Sequence, residues 1–238
     1  MFGFISILLA SFIQGVTGFG FALIAVPLLS FFIPELRNIT PIIVICSLIT
    51  NIIIVYKSRS HIDFKRIMYL VIFAIIATPI GTYMLICVNV KILKLIIGIV
   101  SVITAFFMFK DFKIKIKNER ISYGVVGVLS GILNGSAGLS GPPIVLFLTN
   151  QNTEKDVFRA NLTFFGLITN VFAVILFCFE GIINVSVLHF TIVYLLALVI
   201  GALVGIVVSA KINERIFRNI TILLIALLGV YTSISAIL

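Results

Sequence analysis

Two uncharged, glycine-rich interruptions hold the residues of this chain best suited to binding chemistry. The first is Gln14-Gly15-Val16-Thr17-Gly18-Phe19-Gly20, inside an apolar run over 2–32. The second is Asn134-Gly135-Ser136-Ala137-Gly138-Leu139-Ser140-Gly141-Pro142-Pro143, inside an apolar run over 121–148. A helix cannot run through the second, since each glycine costs about 1 kcal/mol and each proline about 3. A fresh half-helix is expected to start near Gly20 and near Pro142. The first N–H groups of a helix have no intrahelical partner, and its dipole puts partial positive charge at that end. Proline suits such a first turn. Two of these ends meeting would hold an anion without any buried lysine or arginine. The hydroxyls of Thr17, Ser136 and Ser140 and the amides of Gln14 and Asn134 could complete the shell. The competing reading is that the glycines only let helices pack closely. For one glycine that suffices; for a ten-residue polar break with a counterpart elsewhere, a site is the better account.

The elements that must position these residues are transmembrane. Of 238 residues, 61% are hydrophobic and only 11% charged, against about 25% charged in a soluble domain. Apolar blocks near 20 residues recur, the length that crosses a bilayer. Each half of 2–32 is about 12 residues, roughly 18 Å as helix, and cannot cross alone. Full spans are expected at 41–56, 67–88, 92–109, 160–179, 185–210 and 216–238, with Pro79, Gly81, Gly201 and Gly205 as flexing points. The first apolar run lacks a basic start and a cleavage site, so it is expected to belong to the fold.

The net charge of +9 reads as loop cations of a membrane protein, not as a nucleic-acid surface. Cys46, Cys87 and Cys178 are isolated, no metal-ligand spacing appears, and no cofactor motif does; Gly18-Phe19-Gly20 lacks the third glycine and later acid of a dinucleotide loop. No Ser/His/Asp set appears at comparable depth, so an enzyme is not expected. All eight acids (Glu35, Asp63, Asp111, Glu119, Glu154, Asp156, Glu180, Glu214) fall in loops or at span ends. A midplane proton relay or organic-cation site would need one inside. Anions fit better.

The chain reads as two repeats. Leu48-Ile49-Thr50-Asn51 recurs as Leu167-Ile168-Thr169-Asn170, and Gln14-Gly15 and Gly18 align with Asn134-Gly135 and Gly138. If both broken elements cross, the loop cations divide evenly between the two sides. If both are re-entrant, only Arg37, Lys91 and Lys94 face away from the rest, as the positive-inside rule prefers. The expected fold is therefore an all-α polytopic membrane protein of two homologous halves, 1–109 and 121–238, joined by a basic cytoplasmic linker at 110–120. Each half is a broken or re-entrant helical hairpin plus three transmembrane helices, and three crossings per half make the repeats inverted. The basic loops would face the cytoplasm of a plasma-membrane protein with both termini outside. Asn51 and Asn170 would line the site or brace the hairpins. Asn161 opens a span, and Arg159 is expected at the cytoplasmic interface, where it could draw anions inward.

The two broken motifs, with Pro27-Leu28, Arg159-Ala160-Asn161 and Asn170, resemble the sulfite exporter TauE/SafE family of membrane permeases over essentially the whole chain. The resemblance implies transport of small sulfur-containing anions, such as sulfite, thiosulfate, sulfoacetate or other sulfonates, or of small organic acids. Phe19 stands where the family commonly has another glycine, which implies a narrower site. The site set is then Gln14, Gly15, Thr17, Gly18, Phe19, Gly20, Asn134, Gly135, Ser136, Gly138, Ser140, Gly141 and Pro142, with Asn51, Asn170, Arg159 and Asn161 lining or bracing. The expected partners are a small anion and the lipid bilayer, with self-association left open. An anion channel and a non-transporting scaffold or assembly protein are the rival readings.

Overall fold

A computed structural model describes residues 2–30, 36–110, 119–151 and 153–237. All regular structure among them is helical. The chain begins with α1 (Phe2–Thr17) and α2 (Phe21–Ser30), followed by α3 (Leu36–Ser58), α4 (Phe64–Cys87) and α5 (Val90–Phe109). Then come α6 (Glu119–Ala137), α7 (Gly141–Asn150), α8 (Lys155–Phe179), α9 (Val185–Val193), α10 (Leu195–Lys211) and α11 (Glu214–Ile237). Helices α3, α4, α5, α8 and α11 are each long and apolar enough to cross a membrane. A sixth span results if α9 and α10, bent by 52° at Tyr194, count as one. Residues 111–118 of the expected linker lie outside the described residues.

Short polar residues start the helices. Asp63 accepts from the Arg66 N–H, Asn89 from Lys91, Asn184 from Val187 and Asn213 from Ile216. Each takes up an N–H that the helix itself cannot pair. The exterior is apolar: Ile76, Ile80 and Tyr83 of α4 and Leu196, Val204 and Val207 of α10 are exposed. Polar side chains such as Gln14, Thr50, Asn51, Asn134 and Asn170 are buried. Apolar faces outside and polar groups inside invert the soluble pattern, and the chain is a multi-pass membrane protein.

Three seams hold the bundle. Helix α1 packs on α10, α6 on α4, and α5 on α11, while α3 and α8 cross near the centre, with Asn51 against Gly166. The seams depend on glycine. A Cβ at Gly15 would lie 2.6 Å from the Ala202 carbonyl oxygen, one at Gly205 2.3 Å from that of Phe12, and one at Gly131 2.3 Å from that of Ala74. Backbones this close need residues without side chains. The same facts revise an expectation. Gly81, Gly201 and Gly205 are close-packing points, and α4 runs through Pro79 as one helix. The bend falls instead at Tyr194, a position with no glycine or proline beside it to signal a break.

One end of the bundle is tied together by polar bonds. The Asp63 N–H, before α4, donates to Asn161 Oδ1 near the start of α8 (2.9 Å). Lys155 Nζ donates to the carbonyls of Ser209 and Ile212 at the end of α10 (3.1 and 2.8 Å). Arg218 Nη2 donates to the Met108 carbonyl at the end of α5 (3.1 Å). The loops carrying Lys57, Arg59, Lys65, Arg66, Lys155, Lys211 and Arg215 therefore share this end. Helices α6 and α7 form a hairpin that opens to it: Tyr123 in the second turn of α6 stacks edge-on against Phe147 near the end of α7, ring centroids 4.9 Å apart. Tyr69, early in α4, lies 6.0 Å from the same Tyr123 ring.

Candidate anion site

The breaks between α1 and α2 and between α6 and α7 meet. Gly18, Gly20 and Gly138 adopt φ of +83°, +93° and +68°, conformations that residues with a Cβ rarely reach. At the first break, the Gly18 N–H donates to the Gln14 carbonyl (2.7 Å) and closes α1. The single Thr17 hydroxyl proton lies between the carbonyls of Ile13 and Phe19 (2.8 and 2.6 Å), and Oγ1 accepts from the Phe19 N–H (3.3 Å). At the second, the Gly138 N–H donates to Asn134 (2.8 Å) and the Leu139 N–H to Leu133 (3.2 Å). Gly141 and Pro142 then open α7, behind Ser140.

Between the tips lies a cavity of about 30 Å³, space for a water or two. Phe21, Ala22 and Leu23, the first turn of α2, line it from one side. Ser140 and Gly141, at the start of α7, line it from the other. These are the residues whose N–H groups a helix leaves unpaired, although Pro142 and Pro143 contribute none, so α7 offers fewer amides than α2. The Phe19 ring bridges the tips: a Cβ on Gly141 would lie 2.8 Å from Phe19 Cδ2. Among the described residues, no lysine, arginine or carboxylate lines the cavity.

Eight of the expected residues line this cavity: Gln14, Gly18, Phe19, Gly20, Asn51, Gly138, Ser140 and Gly141. Gln14 is held fast. Its Nε2 donates to Ser47 Oγ (3.0 Å) and Asn51 Oδ1 (2.7 Å), and its Oε1 accepts from the Thr50 hydroxyl. Both amide hydrogens are thus used within the protein. The hydroxyl of Thr17 is committed to the break itself. Ser136 Oγ donates back to the Leu133 carbonyl at 3.4 Å. Gly15 and Gly135 lie in the seams against α10 and α4, and Pro142 is buried outside the cavity lining. Asn134 and Asn170 are also buried outside it; Asn134 Oδ1 and Nδ2 and Asn170 Oδ1 have no hydrogen-bond partner among the described residues. Asn161 ties α8 to the start of α4.

Arg159 departs from expectation. It is buried, not spread at an interface, and its Nη2 donates to the Gly15 carbonyl in the last turn of α1 (2.6 Å). Its backbone packs on Gly18, where a Cβ would sit 3.0 Å from the Arg159 carbonyl oxygen. The reason is local. Carbonyls in the last turn of a helix lack N–H partners and carry partial negative charge, and a guanidinium answers both. Sequence reasoning did not name Phe21, Ala22, Leu23, Ser47, Leu139, Leu162 or Gly166 as lining residues. Ser47 lies one helical turn before Asn51, and Gly166 one turn before Asn170, so the shared face of each span was the available signal.

A model of the family described as sulfite exporter TauE/SafE matches residues 3–232, nearly the whole chain. The chain belongs to this family. As a TauE/SafE protein it is a membrane transporter and not an enzyme. No curated protein and no solved structure matched it.

Proposed function

We propose that this TauE/SafE protein carries small anions by alternating access around the paired tips. The substrates are sulfur-containing anions (sulfite, thiosulfate, sulfoacetate or other sulfonates) or small organic acids. The observation that carries this reading is the shared cavity, lined by the starts of α2 and α7 and free of charged side chains. Helix starts attract anions and repel cations. An anion held by backbone dipoles, without a full countercharge, can leave again.

The seams support an inverted repeat. The first hairpin packs on α10 of the second half, and the second hairpin packs on α4 of the first half. Gly15 meets Ala202 and Gly205, while Gly135 meets Thr78, Gly81 and Thr82. The two sets are offset by about 120 residues, as the sequence repeats are. Each hairpin is thus gripped by the opposite half, a geometry in which rocking one half moves both tips. The tied basic end would face the cytoplasm of the plasma membrane.

The test is flux into proteoliposomes, comparing sulfite, sulfoacetate and chloride. Saturable flux with counterflow for a sulfur anion is expected. High unitary conductance would make the protein a channel, and no anion flux of any kind would end the proposal.

A further inference from the structure

A second cavity, of about 220 Å³, opens at the tied basic end. Thr149 at the end of α7, Thr153, Lys155 and Phe158 at the start of α8, and Arg218 and Thr221 of α11 line it. Two of its residues carry positive charge. The Thr221 side chain is buried and its Oγ1 has no hydrogen-bond partner. The cavity also borders the start of α8, which has no side-chain cap, so amides of that first turn add to the positive end. Glu154 also contributes to the lining, but it is exposed on the solvent side. Lys155 places two of its ammonium's three donors on helix-end carbonyls, which leaves a third for a ligand.

This cavity and the central one lie along one face of α8. Lys155 and Phe158 line the outer cavity; Leu162 and Gly166 line the inner one. Arg159 sits between them. Steps of three and four keep these residues on one helix face, over a rise of about 16 Å. Phe158 and Leu162, both buried, fill that face between the two spaces.

On the transport reading above, we infer that the outer cavity is a second anion site on the substrate's route. It receives small oxyanions at the basic end, and the Phe158–Leu162 step closes the way to the central cavity. The threonine hydroxyls and two cations concentrate anions there, and the apolar step resists a hydrated anion until it opens.

The experiment uses the full-length chain in proteoliposomes, with its three cysteines replaced and Thr153→Cys added. The thiol is capped with a negatively charged maleimide or a positively charged one, excess reagent is washed out, and sulfite flux is read. A thioether survives sulfite. The negative cap is expected to lower flux at least about fivefold, and the positive cap to spare it, because one added like charge in a partly enclosed cavity repels the substrate. Separately, Thr221→Val is expected to raise KM about 10- to 150-fold with kcat little changed, the loss of one hydrogen bond to a charged group. Equal effects of the two caps together with an unchanged Thr221→Val KM would overturn the outer site while leaving transport intact. Absence of sulfite flux in the unsubstituted protein would instead fail the transport reading itself, and the outer site with it.

Discussion

Replacing Asn134 by leucine should separate binding from stability. Asn134 is completely buried, and neither polar atom of its amide has a partner. An unpaired buried amide costs about 1–3 kcal/mol by protein mutational measures. Leucine has nearly the same volume and no polar atoms. Asn134→Leu should therefore stabilise the anion-free protein by about 1–3 kcal/mol. A hydrogen bond to a charged group contributes about 1.5–3 kcal/mol. If the amide turns to an anion when the tips part, its loss should weaken binding by that much, roughly 10- to 150-fold. Asn134 stands one turn before Gly138, which lines the cavity, so a small rotation of the tip would bring it in. The measurements are chemical unfolding in detergent without anion, and sulfite or sulfoacetate KM in proteoliposomes. Loss of stability together with an unchanged KM would mean that a resident water satisfies the amide and that Asn134 takes no part in holding an anion.

Gln14→Leu should do the reverse. It takes the donor away from Asn51 Oδ1 and Ser47 Oγ, while Thr50 can still donate to the carbonyls of Cys46 and Ser47; it should cost about 1–3 kcal/mol in the same unfolding assay, with most of that recovered in the double variant with Asn51→Leu. Gly205→Ala drives a Cβ to 2.3 Å from the Phe12 carbonyl oxygen; the first hairpin must shift from α10, and a stability loss of about 1–3 kcal/mol is expected, as for overpacking. Gly141→Ala presses on the Phe19 ring at 2.8 Å. Flux should fall while the unfolding midpoint changes little, and adding Phe19→Ala should restore flux.

The helices were legible because a bilayer demands long apolar runs, and this chain supplies them between loops marked by Lys, Arg, Asp and Asn. The breaks were legible for the complementary reason: glycines and prolines stop helices wherever they cluster. What could not be read was which of the polar residues at a break the fold itself consumes. Gln14 and Asn134 occupy matching places, yet one is saturated and the other unpaired. The difference lies in Ser47, Thr50 and Asn51 on a separate helix, and in the extra methylene that lets a glutamine reach them. Nor could spacing reveal that Gly15 and Gly135 face neighbouring helices while Gly18 and Gly138, three residues on, face the cavity. Three residues is nearly a full turn, but positive φ at the later glycine redirects the chain.

Arg159 shows how such a break acquires its sign. A helix that stops and restarts places a negative C-terminus beside a positive N-terminus, and the two fields cancel at any point equidistant from them. An anion site therefore needs the carbonyl end to be masked. On the transport reading Arg159 does this at the first break, bonded to the Gly15 carbonyl from outside the cavity lining, so that its charge offsets the α1 end and adds to the α2 start. Keeping the guanidinium behind the break also avoids a direct ion pair, which would hold the anion too firmly to release it. Arg159→Met should then weaken anion binding even though the side chain lines no part of the cavity. Arg159→Lys should recover part of it, because an ammonium can still reach a carbonyl but lacks the guanidinium's fork. Equal sulfite KM values for the parent and Arg159→Met proteins would show that masking the α1 terminus contributes nothing to selecting anions.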